Sequence, residues 1–168
     1  MPNAKIRLLT NGRLLTKKIF EEIIQYLDSL CIENYNDEGI LLSNVSEIYG
    51  LRKNNESYKK RVRILLRNET EILSTRGGLA KNRDDCIDMQ GYTCTQPFLS
   101  MYAHPNGECS LCCADVYGEY VVGNINHQSL YEIWESENMN KFRKLISIGR
   151  DNIDKCKKCD QFISYPML

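Results

Sequence analysis

Cysteine is the residue type in this sequence most able to do chemistry: there are eight in 168 residues, and seven of them lie from Cys86 onward. Cys156-Lys157-Lys158-Cys159 is a C-x-x-C knuckle, a bidentate clamp in which a short turn brings two sulfurs within reach of one metal centre. One knuckle cannot close a four-thiolate site, so two more sulfurs are needed. Cys94, Cys109, Cys112 and Cys113 are available, and the neighbours Cys112 and Cys113 would point to opposite faces of a regular strand. At most one of that pair is then a ligand, and a bulge would let Cys109 or Cys113 serve instead of Cys112. Four thiolates suit Zn²⁺ or an iron–sulfur cluster, and spacing alone leaves both open. Lys155, Lys157 and Lys158 either offset the negative charge of such a site or form a solvated basic turn. Cys31 reads as a small buried hydrophobe, and Cys86, Cys109 and Cys113 as spare thiols.

The elements that must position these sulfurs fall into two groups. Lys5 to Thr10 reads as a strand stopped by Asn11-Gly12. A helix capped by Thr16 is predicted to run to about Leu30, with Ile19, Phe20, Ile23, Ile24, Leu27 and Leu30 on one face. A strand over Cys31 to Tyr35, a helix from about Leu41 to Arg52 and a strand over Arg61 to Leu66 complete a β/α alternation that signals a parallel sheet. From Ser74 to Asp85 the chain turns polar and glycine-bearing, which marks a domain boundary. Beyond it, Phe98 to Tyr102 and Cys109 to Val116 flank Pro105-Asn106-Gly107 as a β-hairpin. Ser129-Leu130-Tyr131-Glu132 is a capping box, opening a helix through Trp134 whose apolar stripe continues over Met139, Phe142, Leu145 and Ile146 to Gly149.

Composition narrows the function classes. With 22 basic and 22 acidic side chains, the chain has no net field to attract a polyanion, so nucleic acid is not expected as a partner. No segment has the ~20 apolar residues of a membrane span, and charges interrupt any signal-peptide core before Thr16. A cytoplasmic protein with reduced thiols is the expectation.

The cysteine pattern carries a resemblance. Cys94-x12-Gly107-x4-Cys112, then Cys156-x2-Cys159, with Val122-Gly123-Asn124-Ile125, Ser129 to Trp134 and Arg143 between them, resembles the SPASM/twitch domain that follows the barrel of many radical S-adenosylmethionine enzymes. The resemblance selects Cys112 over its neighbours and implies one auxiliary [4Fe–4S] cluster held by Cys94, Cys112, Cys156 and Cys159. The strand ending Thr10-Asn11-Gly12 and the segment Arg76-Gly77-Gly78 resemble the later part of the radical SAM barrel and its junction to the cluster domain. It implies an α/β partial (β/α) barrel segment over residues 1–80, followed by a small α+β SPASM/twitch domain over residues 86–168.

The C-x3-C-x2-C triad that binds the catalytic cluster of this family is absent from the sequence, as is a GGE-type strand. S-adenosylmethionine and a second cluster are therefore expected only in a complete enzyme, and this chain alone is expected to be inactive: a truncated frame, a cut piece or half of a split protein. The missing N-terminal barrel half or a partner chain, and a peptide or small-molecule substrate, are the expected partners. With all four sulfurs from protein, electron transfer or substrate positioning is the expected role, no iron being left open. The competing reading is a four-cysteine zinc module with a structural or interaction role. His104 and His127 are read as non-ligands, Asp115 as a residue that bonds turn amides, and Tyr92, Phe98, Tyr102, Tyr120, Tyr131, Trp134 and Phe142 as packing around the cluster domain.

Overall fold

The computed structural model describes residues 3–71, 74, 75, 77 and 93–161, and the chain divides into two compact units, Met1–Glu71 and Ile72–Leu168. Cys86, Tyr92, Arg76 and Gly78 lie outside the described residues.

The first unit is a three-stranded parallel sheet in the order β1 (Arg7–Thr10), β2 (Ser29–Tyr35), β3 (Val62–Arg67). Its register places Leu8, Leu30 and Val62 side by side, with Ile32 and Ile64 following on the same face. That face meets Phe20 and Ile24 of the first crossover and Val45 and Ile48 of α2 (Ser43–Lys53) in one core. Thr16 caps α1 (Lys17–Ile23) by accepting from the Ile19 amide. The helix is shorter than its apolar stripe suggests: a 3₁₀ turn over Ile24–Tyr26 ends it, and Leu30 belongs to β2. Arg61 explains the stop, since its Nη1 donates to the carbonyls of Ile24 and Leu27 at 3.2 and 2.9 Å and satisfies helix-end acceptors. α3 (Glu56–Arg61), which the periodicity did not reveal, is capped by Asn55, whose Oδ1 accepts from the amides of Ser57 and Tyr58. Asn44 donates to the carbonyls of Gly12 and Leu15 and pins the turn after β1. Gly12 is required there: φ is 76°, and a Cβ would stand 2.8 Å from Ile32 Cγ2 and Val45 Cγ2.

The second unit is built on an antiparallel sheet, β4 (Tyr102–Ala103), β5 (Glu108–Ser110) and β6 (Val121–Asn124). The hairpin turns at Pro105-Asn106-Gly107 as expected, with Gly107 at φ 86°, but its strands are shorter than the sequence pattern. Phe98 lies in a one-turn helix, α4 (Gln96–Leu99), entered through Pro97. β5 ends at Ser110, after which the chain turns through Leu111 to Gly118, so the face-alternation argument for Cys112 and Cys113 does not apply. The third strand, β6, shows an irregular register against Cys109 and Ser110. The long helix is two: α5 (Leu130–Trp134), closed by the Ser129–Glu132 capping box, and α6 (Glu137–Ile148), recapped by Ser136 through the Met139 amide. Ile133, Met139 and Ile146 close on Val122, Leu111 and Cys109 in the core. Arg143 stacks on Trp134 at 4.2 Å and donates to the Pro97 and Trp134 carbonyls, tying α4 to α6. A 3₁₀ turn, Arg150–Asn152, leads into α7 (Asp154–Lys157).

Candidate metal centre

Three separated segments bring sulfur to one place. Cys94 precedes α4, Cys112 sits in the turn after β5, and Cys156 and Cys159 lie in and just beyond α7. All four line a single cavity, together with Leu111, Ala114, Asp115, Tyr120, Arg150 and Lys155. Cys109 is fully buried in the hydrophobic core and does not line it, and Cys113 is exposed. Of the histidines, His104 contacts the Ser110 hydroxyl and His127 is exposed.

Burial pushes the Cys112 thiol up to about 11 and the Cys156 thiol up to about 12, and the other thiols of the set raise Cys156 further. Burial also raises Cys159, against which Arg150 pulls down. Without a metal these thiols are protonated at neutral pH; a soft cation that displaces the protons removes the cause of the shift. Four thiolate donors around one cavity fit an iron–sulfur cluster, which would be held by Cys94, Cys112, Cys156 and Cys159 and would supply a one-electron redox centre. Among the described residues, no three His, Cys, Asp or Glu side chains are grouped closely enough to hold one metal ion.

Polar side chains hold these segments together: Asp115, which bonds turn amides as expected, and Lys155, with Arg150 and Thr75, which the sequence pattern does not single out. Arg150 is 2% exposed and donates to the Cys159 carbonyl at 2.9 Å, with longer contacts to the Thr93 and Gln161 carbonyls. It therefore joins the backbone next to Cys94 to that of the knuckle. Asp115 accepts from the amides of Glu119 and Tyr120 at 3.0 and 2.8 Å, which shapes the turn carrying Cys112. Its carboxylate also pairs with Lys155 at 2.9 Å, a residue adjacent to Cys156. Burial pushes the Asp115 carboxyl up, but the hydrogen bonds from Lys155 and the two amides outweigh it and hold it below the ordinary value. Thr75 reaches the knuckle from the other side. Its amide donates to Asp160 Oδ1 at 2.8 Å, and its hydroxyl donates to the Lys158 carbonyl and accepts from the Asp160 amide.

The charge arrangement fits the solvated-turn reading for two of the three lysines. Lys155 is engaged by Asp115 and Glu119, and Lys157 and Lys158 are exposed. Arg150 is a second buried cation beside the sulfurs. No short-range sequence signal marks it, because an arginine after a helix and a glycine reads equally well as a solvated C-terminal charge.

A cysteine-lined cavity on a hairpin, a capped helix pair and a terminal knuckle defines a class. Residues 94–160 match the SPASM family, an iron–sulfur cluster-binding domain, and the chain is related to the SPASM-containing C-terminal portion of radical SAM enzymes. Among individual proteins, it is similar to the S-adenosyl-L-methionine-dependent 2-deoxy-scyllo-inosamine dehydrogenase of Niallia circulans, with 26% identity over 164 residues, 95% of this chain and 62% of the relative. The crystal structure of BtrN in complex with AdoMet and 2-DOIA superposes with a TM-score of 0.74 at 25% identity, over 95% of this chain and 61% of that one. SeMet BtrN in an open conformation shares the fold with a TM-score of 0.62 at 20% identity, over 95% and 58%. The chain thus spans about three fifths of the length of the relatives it matches.

Proposed function

We propose that this chain binds one auxiliary [4Fe–4S] cluster through Cys94, Cys112, Cys156 and Cys159, and that it serves a S-adenosylmethionine-dependent dehydrogenase acting on a small polar metabolite. The observation that carries the reading is the convergence of four cysteines from three segments on one cavity, within a domain of the SPASM family. Zinc would need all four sulfurs at about 2.3 Å from one ion. With four protein thiolates no iron remains open to substrate, which favours electron transfer over substrate coordination. The dehydrogenase reading comes from the similarity to the Niallia circulans enzyme, and a dehydrogenation that begins with a radical needs a place for an electron.

The first unit fits part of a (β/α) barrel, with residues 1–80 as barrel segment and 86–168 as cluster domain. Its sheet packs its crossover helices against one face. The opposite face carries Arg7, Ser29, Glu33, Tyr35, Arg63 and Arg67 together with Leu9, Cys31 and Leu65, and Arg67 pairs with Glu33 at 3.1 Å. A second chain or chain segment with a C-x3-C-x2-C triad would complete the barrel.

Anaerobic reconstitution with iron and sulfide tests the reading. A brown chain with about four irons and four sulfides, lost in Cys112→Ala and retained in Cys113→Ser, is the expected result. A colourless chain holding one zinc refutes it.

A further inference from the structure

Arg150 has one buried nitrogen, Nε, that finds no partner among the described residues. Its side chain is 2% exposed and lines the cavity with the four cysteines. Both Nη atoms are directed to backbone carbonyls, those of Cys159, Thr93 and Gln161. Its Nε is buried and has no partner among the described residues, and no described carboxylate forms an ion pair with it. A guanidinium does not lose its proton in a protein, so a positive charge without a described carboxylate partner and an unpartnered Nε–H stand in a buried site. Leaving a buried donor unpaired costs about 1–3 kcal/mol, and more for a charged group. A group that fills the cavity beside the four cysteines would offer this nitrogen an acceptor.

Resting on the cluster reading above, we infer that Arg150 is a positioning and tuning residue, whose Nε–H donates to a sulfur of the bound cluster and raises its reduction potential. The direction follows from electrostatics: a fixed positive charge and a donor aimed at sulfur stabilise the more negative, reduced state more than the oxidised one. The same side chain gathers the backbone of the first ligand and of the knuckle, so position and potential are set by one residue.

The test uses the full chain, reconstituted anaerobically after growth with ¹⁵N-guanidino arginine and reduced with dithionite. Pulsed electron paramagnetic resonance of the reduced cluster is expected to show an arginine ¹⁵N coupling, absent in Arg150→Lys. Redox titration of the same variant is expected to show about a tenfold lower equilibrium constant for reduction, about 59 mV for one electron. If the variant does not hold a cluster, the labelled wild-type spectrum decides: a coupling supports the inference and its absence overturns it. A loaded variant whose potential matches wild type overturns the tuning role. A wild-type chain that takes up zinc and no iron overturns this inference together with the cluster reading, whereas an iron-loaded wild type without the coupling overturns this inference alone.

Discussion

Replacing Asp115 with asparagine tests whether the cavity is organised by protein contacts. Asp115 and Lys155 stand 40 residues apart and meet at 2.9 Å, their side chains 2% and 9% exposed. The pair joins the turn that carries Cys112 to the helix that carries Cys156. Removing one partner of a buried pair costs about 3–5 kcal/mol. Glu119, half exposed, also holds Lys155 at 3.1 Å, and asparagine keeps an acceptor for one of the two amides, so the loss belongs at the low end, about 3 kcal/mol. That is roughly a hundredfold in the unfolding equilibrium of this unit. Urea unfolding of the reduced, metal-free full chain measures it. A cycle with Lys155→Met should return a coupling of about 1–3 kcal/mol. The pH dependence has a definite sign. The folded carboxyl lies below its unfolded value of about 3.9, so the contribution is present above that value and is lost as pH falls through the folded one. Additive single substitutions, each below about 0.5 kcal/mol, would show that the pair does not organise the site.

Further substitutions probe the supports separately. Ser136→Ala removes the cap of α6 and a bond to the Val122 carbonyl, and should destabilise the chain by about 1 kcal/mol in the same assay. Gly123→Ala places a Cβ 2.8 Å from Ile133 Cγ1, and should cost about 1–3 kcal/mol by overpacking α5 against β6. In the metal-free chain at pH 8, iodoacetamide should label exposed Cys113 well before Cys112 and Cys156, whose thiols are raised by burial; mass mapping of early adducts reads the order.

Much of the scaffold could be read along the chain because its signals are local. The capping box at Ser129, the glycine turn at Gly107 and the apolar periods of α2 and β2 each need fewer than about a dozen residues of context. Errors arose where a distant group overrode a local period. The first helix stops early because Arg61 receives its last carbonyls, and Leu30 keeps the helical spacing only because the following strand buries the same face. The break between α5 and α6 depends on Ser136 binding both the Met139 amide and the Val122 carbonyl. At the centre, the knuckle was plain, while the choice of Cys112 needed a family pattern, since β5 ends before it. Arg150, Thr75 and Lys155 act through partners 9 to 85 residues away, and no periodicity encodes such pairs.

Those long-range clamps also bear on what happens when the metal is removed. A small metal module without other supports unfolds when stripped, since its binding energy is its folding energy. Here Ile133, Met139 and Ile146 are fully buried, with Val122 and Leu111 only 2% exposed, in a core against which Cys94 and Cys156 also pack. The Arg150, Asp115–Lys155 and Thr75 contacts then hold the three sulfur-bearing segments without a bound group. Chelation should therefore leave far-ultraviolet circular dichroism nearly unchanged and lower the melting temperature while preserving a cooperative transition. The combination of Arg150→Met with chelation should abolish that cooperativity in the second unit, because it releases Thr93 and Cys159 from each other at the moment the cluster no longer joins them. Loss of helical signal on chelation of the unmodified chain would refute this reasoning, since it would mean that the sulfur-bound group, and not the clamps, organises the fold.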